Sequence, residues 1–293
     1  VKVLILGANG MLGHKLWQTF AKRFDTYATV RQPAQSLAQY RMFDLARIKD
    51  KVSIQDFGSV ARVISEVRPD LIVNCIGIVK QDAAAKDPLA SISVNALFPH
   101  QLAQVCKSEG ARLIHISTDC VFSGRKGGYS EIDETDPVDL YGRTKLLGEV
   151  DGEGNLTLRT SMIGRELEGS HGLIEWFLGQ EGRSVRGFKR AVFSGFTTRV
   201  FADVVATVID EHPDLCGIWH VAAEPINKFD LLSLVKDAYR LDIEVEPDET
   251  FVCDRSLNGE RFWSALGSAA PTWIAMIEEM HRDTTPYPEI RRS

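Results

Sequence analysis

The chain opens with the apolar run VKVLIL at 1–6, which passes directly into Gly7-Ala8-Asn9-Gly10-Met11-Leu12-Gly13 and then into a helix-like stretch at 11–23. A buried strand that turns on three glycines into a helix has few uses. The first glycine permits the tight turn, the second lets backbone amides approach a pyrophosphate, and the third lets the helix lie close on its strand. Strand-like and helix-like stretches then alternate: 25–31, 57–67, the continuous apolar run DLIVNCIG at 70–77, 93–110, 111–119, 140–150 and 155–164. That alternation predicts an α/β fold, a Rossmann-type doubly wound parallel sheet with helices on both faces. After Gly164 the pattern loosens, with a short helix at HGLIEWFLGQ, a Gly-, Arg- and Phe-rich tract at 182–198, and further helices at 229–241 and near WIAMIEEMHR. The expected organisation is a dinucleotide-binding domain over 1–164 and a smaller C-terminal α/β lobe, mainly for substrate, over 165–293. The strand near 216–223 is expected to return to the first domain.

A chain of 293 residues, 44% hydrophobic, can bury a sizeable core. Its net charge of −6 gives no general basic field for nucleic acid. No apolar run approaches the roughly 18 residues of a membrane helix. Five scattered cysteines, with no CxxC pair or zinc spacing, read as buried free thiols in a reducing cytoplasm, and no metal is expected. The chain opens on a strand with no basic leader or cleavage site, which adds to the expectation of a cytoplasmic protein.

Strand two ends Thr29-Val30-Arg31 rather than in a carboxylate. An arginine there suits a 2′-phosphate, so NADP(H) is expected over NAD(H). Tyr141 and Lys145 are four apart on a helix and share one face. A neighbouring ammonium would lower the tyrosine's pKa and make it a usable proton donor to a carbonyl being reduced, and Lys145 would also hold the nicotinamide ribose. Upstream, a strand ends Ile116-Ser117-Thr118-Asp119, at the edge where such sheets deliver side chains to the crevice. Thr118 is the expected partner of the substrate oxygen, with Ser117 as the alternative.

Together LILGANGMLG, PDLIVNCIG, SVNA at 93–96, ISTDCVFSG, YSEIDETDPVDLYGRTKLLGE and LRTSMIG resemble the extended short-chain dehydrogenase/reductase superfamily, in its dTDP-4-dehydrorhamnose reductase branch. The resemblance covers nearly the whole chain. It implies NADPH-dependent reduction at C4 of a nucleotide-linked 4-keto-6-deoxysugar, with Tyr141 protonating the oxygen, Thr118 positioning it and Lys145 binding ribose. It also implies Gly7, Gly10, Met11, Leu12 and Gly13 at the pyrophosphate, Asp44 and Leu45 near the adenine, and Cys75, Ile76, Gly77 and Val79 along the cofactor. Met162, Arg199 and Arg255 would face the substrate, whose diphosphate needs cations; Lys189, Arg190 and Arg261 are further choices.

The chain departs from the branch at Cys120, where tyrosine is usual, at Met162, where an aromatic is usual, and through Gly77-Ile78-Val79-Lys80-Gln81. A carboxylate after Asp119 would suit a dehydratase, so Cys120 speaks against dehydration. Two other readings stay open: an epimerase with tightly held NAD, and a non-catalytic NADP-binding regulatory subunit. Trp176 could stack on a base, but its helical spacing favours the core. The sequence is compatible with a homo-oligomer.

Overall fold

A computed structural model describes residues 1–80 and 83–287. The elements run β1 (Lys2–Leu6), α1 (Gly13–Phe20), β2 (Asp25–Thr29), β3 (Ile48–Lys49), α2 (Phe57–Val67), β4 (Leu71–Asn74), α3 (Pro88–Ser91), a π-helical stretch (Ile92–Leu97), α4 (Phe98–Glu109), β5 (Arg112–Thr118), α5 (Leu140–Leu147), β6 (Asn155–Thr160) and β7 (Met162–Ile163). There follow α6 (Leu173–Leu178), β8 (Ser184–Phe188), β9 (Ala191–Phe193), β10 (Phe196–Thr197), α7 (Thr198–Glu211), β11 (Gly217–His220), β12 (Ile226–Asn227), α8 (Lys228–Tyr239), β13 (Glu244–Asp248), β14 (Cys253–Asp254), α9 (Glu260–Leu266) and α10 (Trp273–His281).

Seven parallel strands form one sheet in the order β11-β6-β5-β4-β1-β2-β3. This is the doubly wound arrangement that the alternating sequence pattern predicts. Its central strands are apolar on both faces: Leu4, Leu6 and Ile72 pack with α2 and α4 residues on one side, and Val3, Ile5 and Val73 with α1 and α7 residues on the other. Three small sheets, β7·β10, β9 with β12 and β14, and β8·β13, carry the later part of the chain.

The expected strand at 155–164 is two strands. The chain leaves the sheet at Ser161, whose carbonyl accepts a hydrogen bond from Phe196 N at 2.9 Å, and Met162–Ile163 pairs with β10 instead. The Gly-, Arg- and Phe-rich tract at 182–198 folds into β8, β9 and β10. Trp176 is 41% exposed rather than core. All five cysteines are free, but only Cys106 is fully buried, and Cys216 is exposed. Among the described residues no helix is long and apolar enough to cross a membrane, and no cluster of three or more His, Cys, Asp or Glu could hold a metal.

Because the seven strands are parallel, the residues that follow β1, β4, β5, β6 and β11 line up along one edge of the sheet. That edge carries the glycine turn, the 75–80 segment, Thr118 with Asp119, Met162, and the 221–223 turn.

Candidate active site

The glycine turn is built as its spacing requires. Gly7 has φ +89°, a conformation that side chains rarely adopt. A Cβ on Gly13 would lie 2.0 Å from the Gly7 carbonyl oxygen, so α1 packs on its own strand more closely than any other residue allows. A Cβ on Gly10 would meet only that same oxygen, at 3.4 Å, which leaves its outer side open. Met11 is half-buried and Leu12 buried at the head of α1. Arg31 is exposed beyond β2 and makes no ion pair with the described residues. Asp44 caps the short 3-10 turn Leu45–Arg47, accepting from Ala46 N at 3.1 Å and pairing with Arg47 at 3.6 Å, while Leu45 is half-buried against the core.

After β4 the chain is held by Asn95, in the π-helical stretch. Its Oδ1 accepts from Ile78 N and its Nδ2 donates to Ile78 O, both at 2.9 Å, and Nδ2 also reaches Thr144 Oγ1 of α5 at 3.3 Å. A π-helical insertion recurs at functional positions; here it turns one amide toward both the 75–80 segment and α5. Cys75 and Ile76 are half-buried, Gly77 and Val79 exposed. Gln81 lies outside the described residues.

Strand alternation separates the two hydroxyls at the end of β5. Ser117 Oγ donates to Glu149 Oε1 at 2.6 Å, and that carboxylate is held by Arg159 through a bidentate, buried pair. Thr118 Oγ1 accepts from Cys120 N and donates to Asp119 Oδ1, both at 3.1 Å. Asp139 caps α5 by accepting from Gly142 N at 2.8 Å, which fixes where Tyr141 and Lys145 begin their shared face.

The electrostatics differ from the expectation for the tyrosine. Burial pushes the Tyr141 phenol up, and Cys120 adds to this; the Thr118 hydroxyl works the other way, favouring phenolate. Lys145 Nζ is directed at the Ile116 carbonyl oxygen, 2.7 Å away, with His115 Nε2 at 3.4 Å. Burial brings its pKa down to about 8, against the raising influence of Glu149 and Cys75. In this arrangement the ammonium serves the floor of the crevice rather than the phenol, and the expected tuning of Tyr141 by Lys145 is not seen.

Three charged side chains that sequence reasoning passed over complete the crevice. Lys80 pairs with Asp139 at 2.5 Å and lies 5.9 Å from the centroid of the Tyr141 ring. Asp119 is buried, which raises its carboxyl, and Arg255 and Lys228 offset part of that rise. Lys228, at the start of α8, sits 3.6 Å over the Phe193 ring and is lowered by burial to about 8. Arg255 Nε donates to Phe122 O at 2.9 Å, which aims its guanidinium along the same edge. Met162 is half-buried and rests on the main core.

Arg199 is not brought to this crevice. It donates to the Thr19 hydroxyl and pairs with Asp203 at 3.1 Å and Glu279 at 3.4 Å. Thr19 is six residues, about 9 Å, down α1 from Gly13. Arg199 therefore ties α7 to α1 and α10, and its assignment to the substrate is withdrawn. Arg261 likewise lies against Trp219 and pairs with Glu131 at 3.6 Å, and Lys189 lies over Phe229.

Residues 1–253 match the profile described as the RmlD substrate binding domain. The chain belongs to that family. Among similar proteins, a dTDP-4-dehydrorhamnose reductase of Burkholderia thailandensis is 34% identical over 168 residues, 56% of this chain and 50% of that protein. Methionine adenosyltransferase 2 subunit beta of Rattus norvegicus is also 34% identical, over 149 residues, 50% of this chain and 41% of that protein. The chain thus spans about half the length of the curated relatives it matches, or less. In fold, this RmlD-family chain is similar to a dTDP-4-dehydrorhamnose reductase from Bacillus anthracis solved in complex with NADP. The TM-score is 0.79 at 24% identity, covering 97% of this chain and 99% of that one.

Proposed function

We propose that the chain is an NADPH-dependent reductase of the C4 carbonyl of a nucleotide-linked 4-keto-6-deoxysugar. The observation that carries this reading is the meeting of Thr118 and Tyr141 on the sheet edge that also bears the glycine turn. The turn fits a dinucleotide: Gly7 takes its positive φ, Gly13 has no room for a side chain, and Gly10 is open on its outer face. Arg31, exposed and free of ion pairs with the described residues, suits a 2′-phosphate. When bound, NADPH supplies the hydride.

The chain's own groups do the rest. Thr118 Oγ1 holds the carbonyl oxygen in place. Tyr141 Oη gives that oxygen its proton as the carbonyl becomes an alcohol; burial, which raises the phenol, makes it the weaker acid, and the Thr118 hydroxyl works against that rise. Lys145 would hold the nicotinamide ribose, and a pKa near 8 leaves its ammonium mostly charged at neutral pH. Arg255 and Lys228 offer positive charge to the diphosphate. The Cys120 thiol, raised to about 12, gives no second carboxylate for dehydration. The likeness to a methionine adenosyltransferase subunit favours one other reading, a regulatory NADP-binding chain, and the presence of Thr118, Tyr141 and Lys145 together speaks for catalysis. A panel of nucleotide 4-keto sugars scored for NADPH oxidation separates the two: turnover with one member supports the reductase, and silence with every member, alongside tight NADPH binding, supports the subunit.

A further inference from the structure

After α10 the chain turns back across the molecule and lays residues 283–287 on the first two turns of α1. Lys15, 2% exposed, finds a carboxylate there: Nζ pairs with Asp283 Oδ2 at 2.5 Å and donates to Thr285 Oγ1 at 3.0 Å. A buried ammonium without such a partner is costly. Gln18 Nε2 adds a bond to Thr285 Oγ1 at 2.7 Å. The Tyr287 hydroxyl lies 2.8 Å from Asp283 Oδ2 and 3.0 Å from His14 Nε2. Its ring meets His14 edge-on and carries the Arg165 guanidinium 4.4 Å above its face.

His14 is fully buried, and its other nitrogen, Nδ1, lies 2.8 Å from the carbonyl oxygen of Gly10. A carbonyl can only accept, so Nδ1 carries the proton and Nε2 faces the phenol. A trans peptide is planar, with its C=O and N–H pointing opposite ways. Fixing the Gly10 oxygen toward His14 therefore aims the Met11 N–H outward, at the open side of the turn. The backbone N–H of His14 donates to the same oxygen at 3.2 Å, so the ring is the second donor on that carbonyl, and Gly10 has no side chain to add another.

We propose that residues 283–287 form a strap that sets the pyrophosphate-binding turn through His14, making His14 and Tyr287 positioning residues for the cofactor. The proposal rests on the reading of that turn as the NADPH site. The strap also reaches its second wall. Arg165 pairs with Glu175 at 2.5 Å, Glu175 accepts from Glu166 N at 2.9 Å, and Glu166 accepts from Gly172 N at 2.9 Å, beside Met11. One short segment thus braces both the amide that faces the anion and the loop next to it.

The test uses the full chain with His14→Leu, His14→Asn and Tyr287→Phe, titrated with NADPH by fluorescence and with 2′,5′-ADP, which lacks a pyrophosphate, by calorimetry. Asparagine keeps a donor where Nδ1 stands; leucine does not. The expected result is NADPH affinity about tenfold weaker in His14→Leu, largely recovered in His14→Asn and about threefold weaker in Tyr287→Phe, with 2′,5′-ADP changed by less than about twofold. Equal NADPH affinity in His14→Leu, or equal loss of both ligands, overturns the strap's role. Should His14→Leu fail to fold, deuterium exchange at the His14 amide, which donates to the Gly10 carbonyl oxygen at 3.2 Å, decides in unliganded Tyr287→Phe: faster exchange supports the strap, and unchanged exchange overturns it. Wild-type protein that bound no NADPH would sink the cofactor reading instead, while the exchange experiment would still report on the strap.

Discussion

Ser117 Oγ is bound to Glu149 Oε1 at 2.6 Å, while the next hydroxyl along β5, that of Thr118, faces the Tyr141 phenol. Both hydroxyls therefore support the fold, and only that of Thr118 stands where it can act on a substrate. Ser117→Ala should lower unfolding stability by about 1 kcal/mol and leave turnover within a factor of about two. Thr118→Val, which also gives up the bonds to Cys120 N and Asp119, should lower stability by about 1–2 kcal/mol and lose about a hundredfold in kcat. Urea unfolding and NADPH-oxidation rates measure both; a Ser117→Ala variant that lost the activity would reverse the assignment.

Tyr141→Phe removes the proposed proton donor and leaves the ring beside Lys80. The expected loss in kcat is about 10²- to 10⁴-fold, with NADPH affinity within about threefold of wild type. Unchanged kcat would mean that the proton comes from elsewhere.

Burial lowers Lys145 from the ordinary lysine value to about 8, so its ammonium is lost within an accessible pH range. If that charge supports cofactor binding, kcat/KM for NADPH should fall as pH rises through about 8. Lys145→Arg stays charged and should move that limb upward. The sign for stability follows from the same shift. With a folded pKa below the unfolded one, Lys145 disfavours the folded state while charged, and stability recovers as pH rises from about 8 toward the unfolded lysine value. A basic limb that stayed in place in Lys145→Arg would exclude Lys145 as its source.

Gly13→Ala places a Cβ 2.0 Å from the Gly7 carbonyl, a backbone atom that cannot step aside without opening the turn. The expected cost is about 3 kcal/mol or more in urea unfolding, with NADPH binding lost. Gly10→Ala, whose Cβ meets nothing nearer than 3.4 Å, should unfold as wild type and still weaken NADPH binding. Equal stability of the two variants would mean that Gly13 is not a packing constraint.

The sheet was readable because buried parallel strands are continuous apolar runs, and the turn because glycine spacing reflects backbone conformations that other residues rarely take. Tyr141 and Lys145 could be paired from helical geometry alone, and Thr118 placed from the end of its strand. The remaining contacts join residues that no local period connects. Lys228 acts on the charge of Asp119 from the start of a helix more than a hundred residues away, and Asp283 pairs with Lys15 from the far end of the chain. Arg199 illustrates the converse: an arginine near the substrate lobe in sequence is drawn to Glu279 and Asp203 once α7 packs on α1. The direction of the Tyr141 shift also needed the fold, because burial and the Cys120 thiol outweigh the neighbour that the sequence places four residues on.

Under the proposed function, hydride and proton meet at C4 of a nucleotide-linked sugar beside Thr118 and Tyr141. Its most direct test is single-turnover reduction of a nucleotide 4-keto-6-deoxysugar with NADPH deuterated at the transferable position of nicotinamide C4, with the product read by NMR. Deuterium is expected at sugar C4 in one configuration, and no detectable product from Tyr141→Phe on the same timescale. Deuterium absent from the sugar, or NADPH left unconsumed by every nucleotide 4-keto sugar offered, would contradict it.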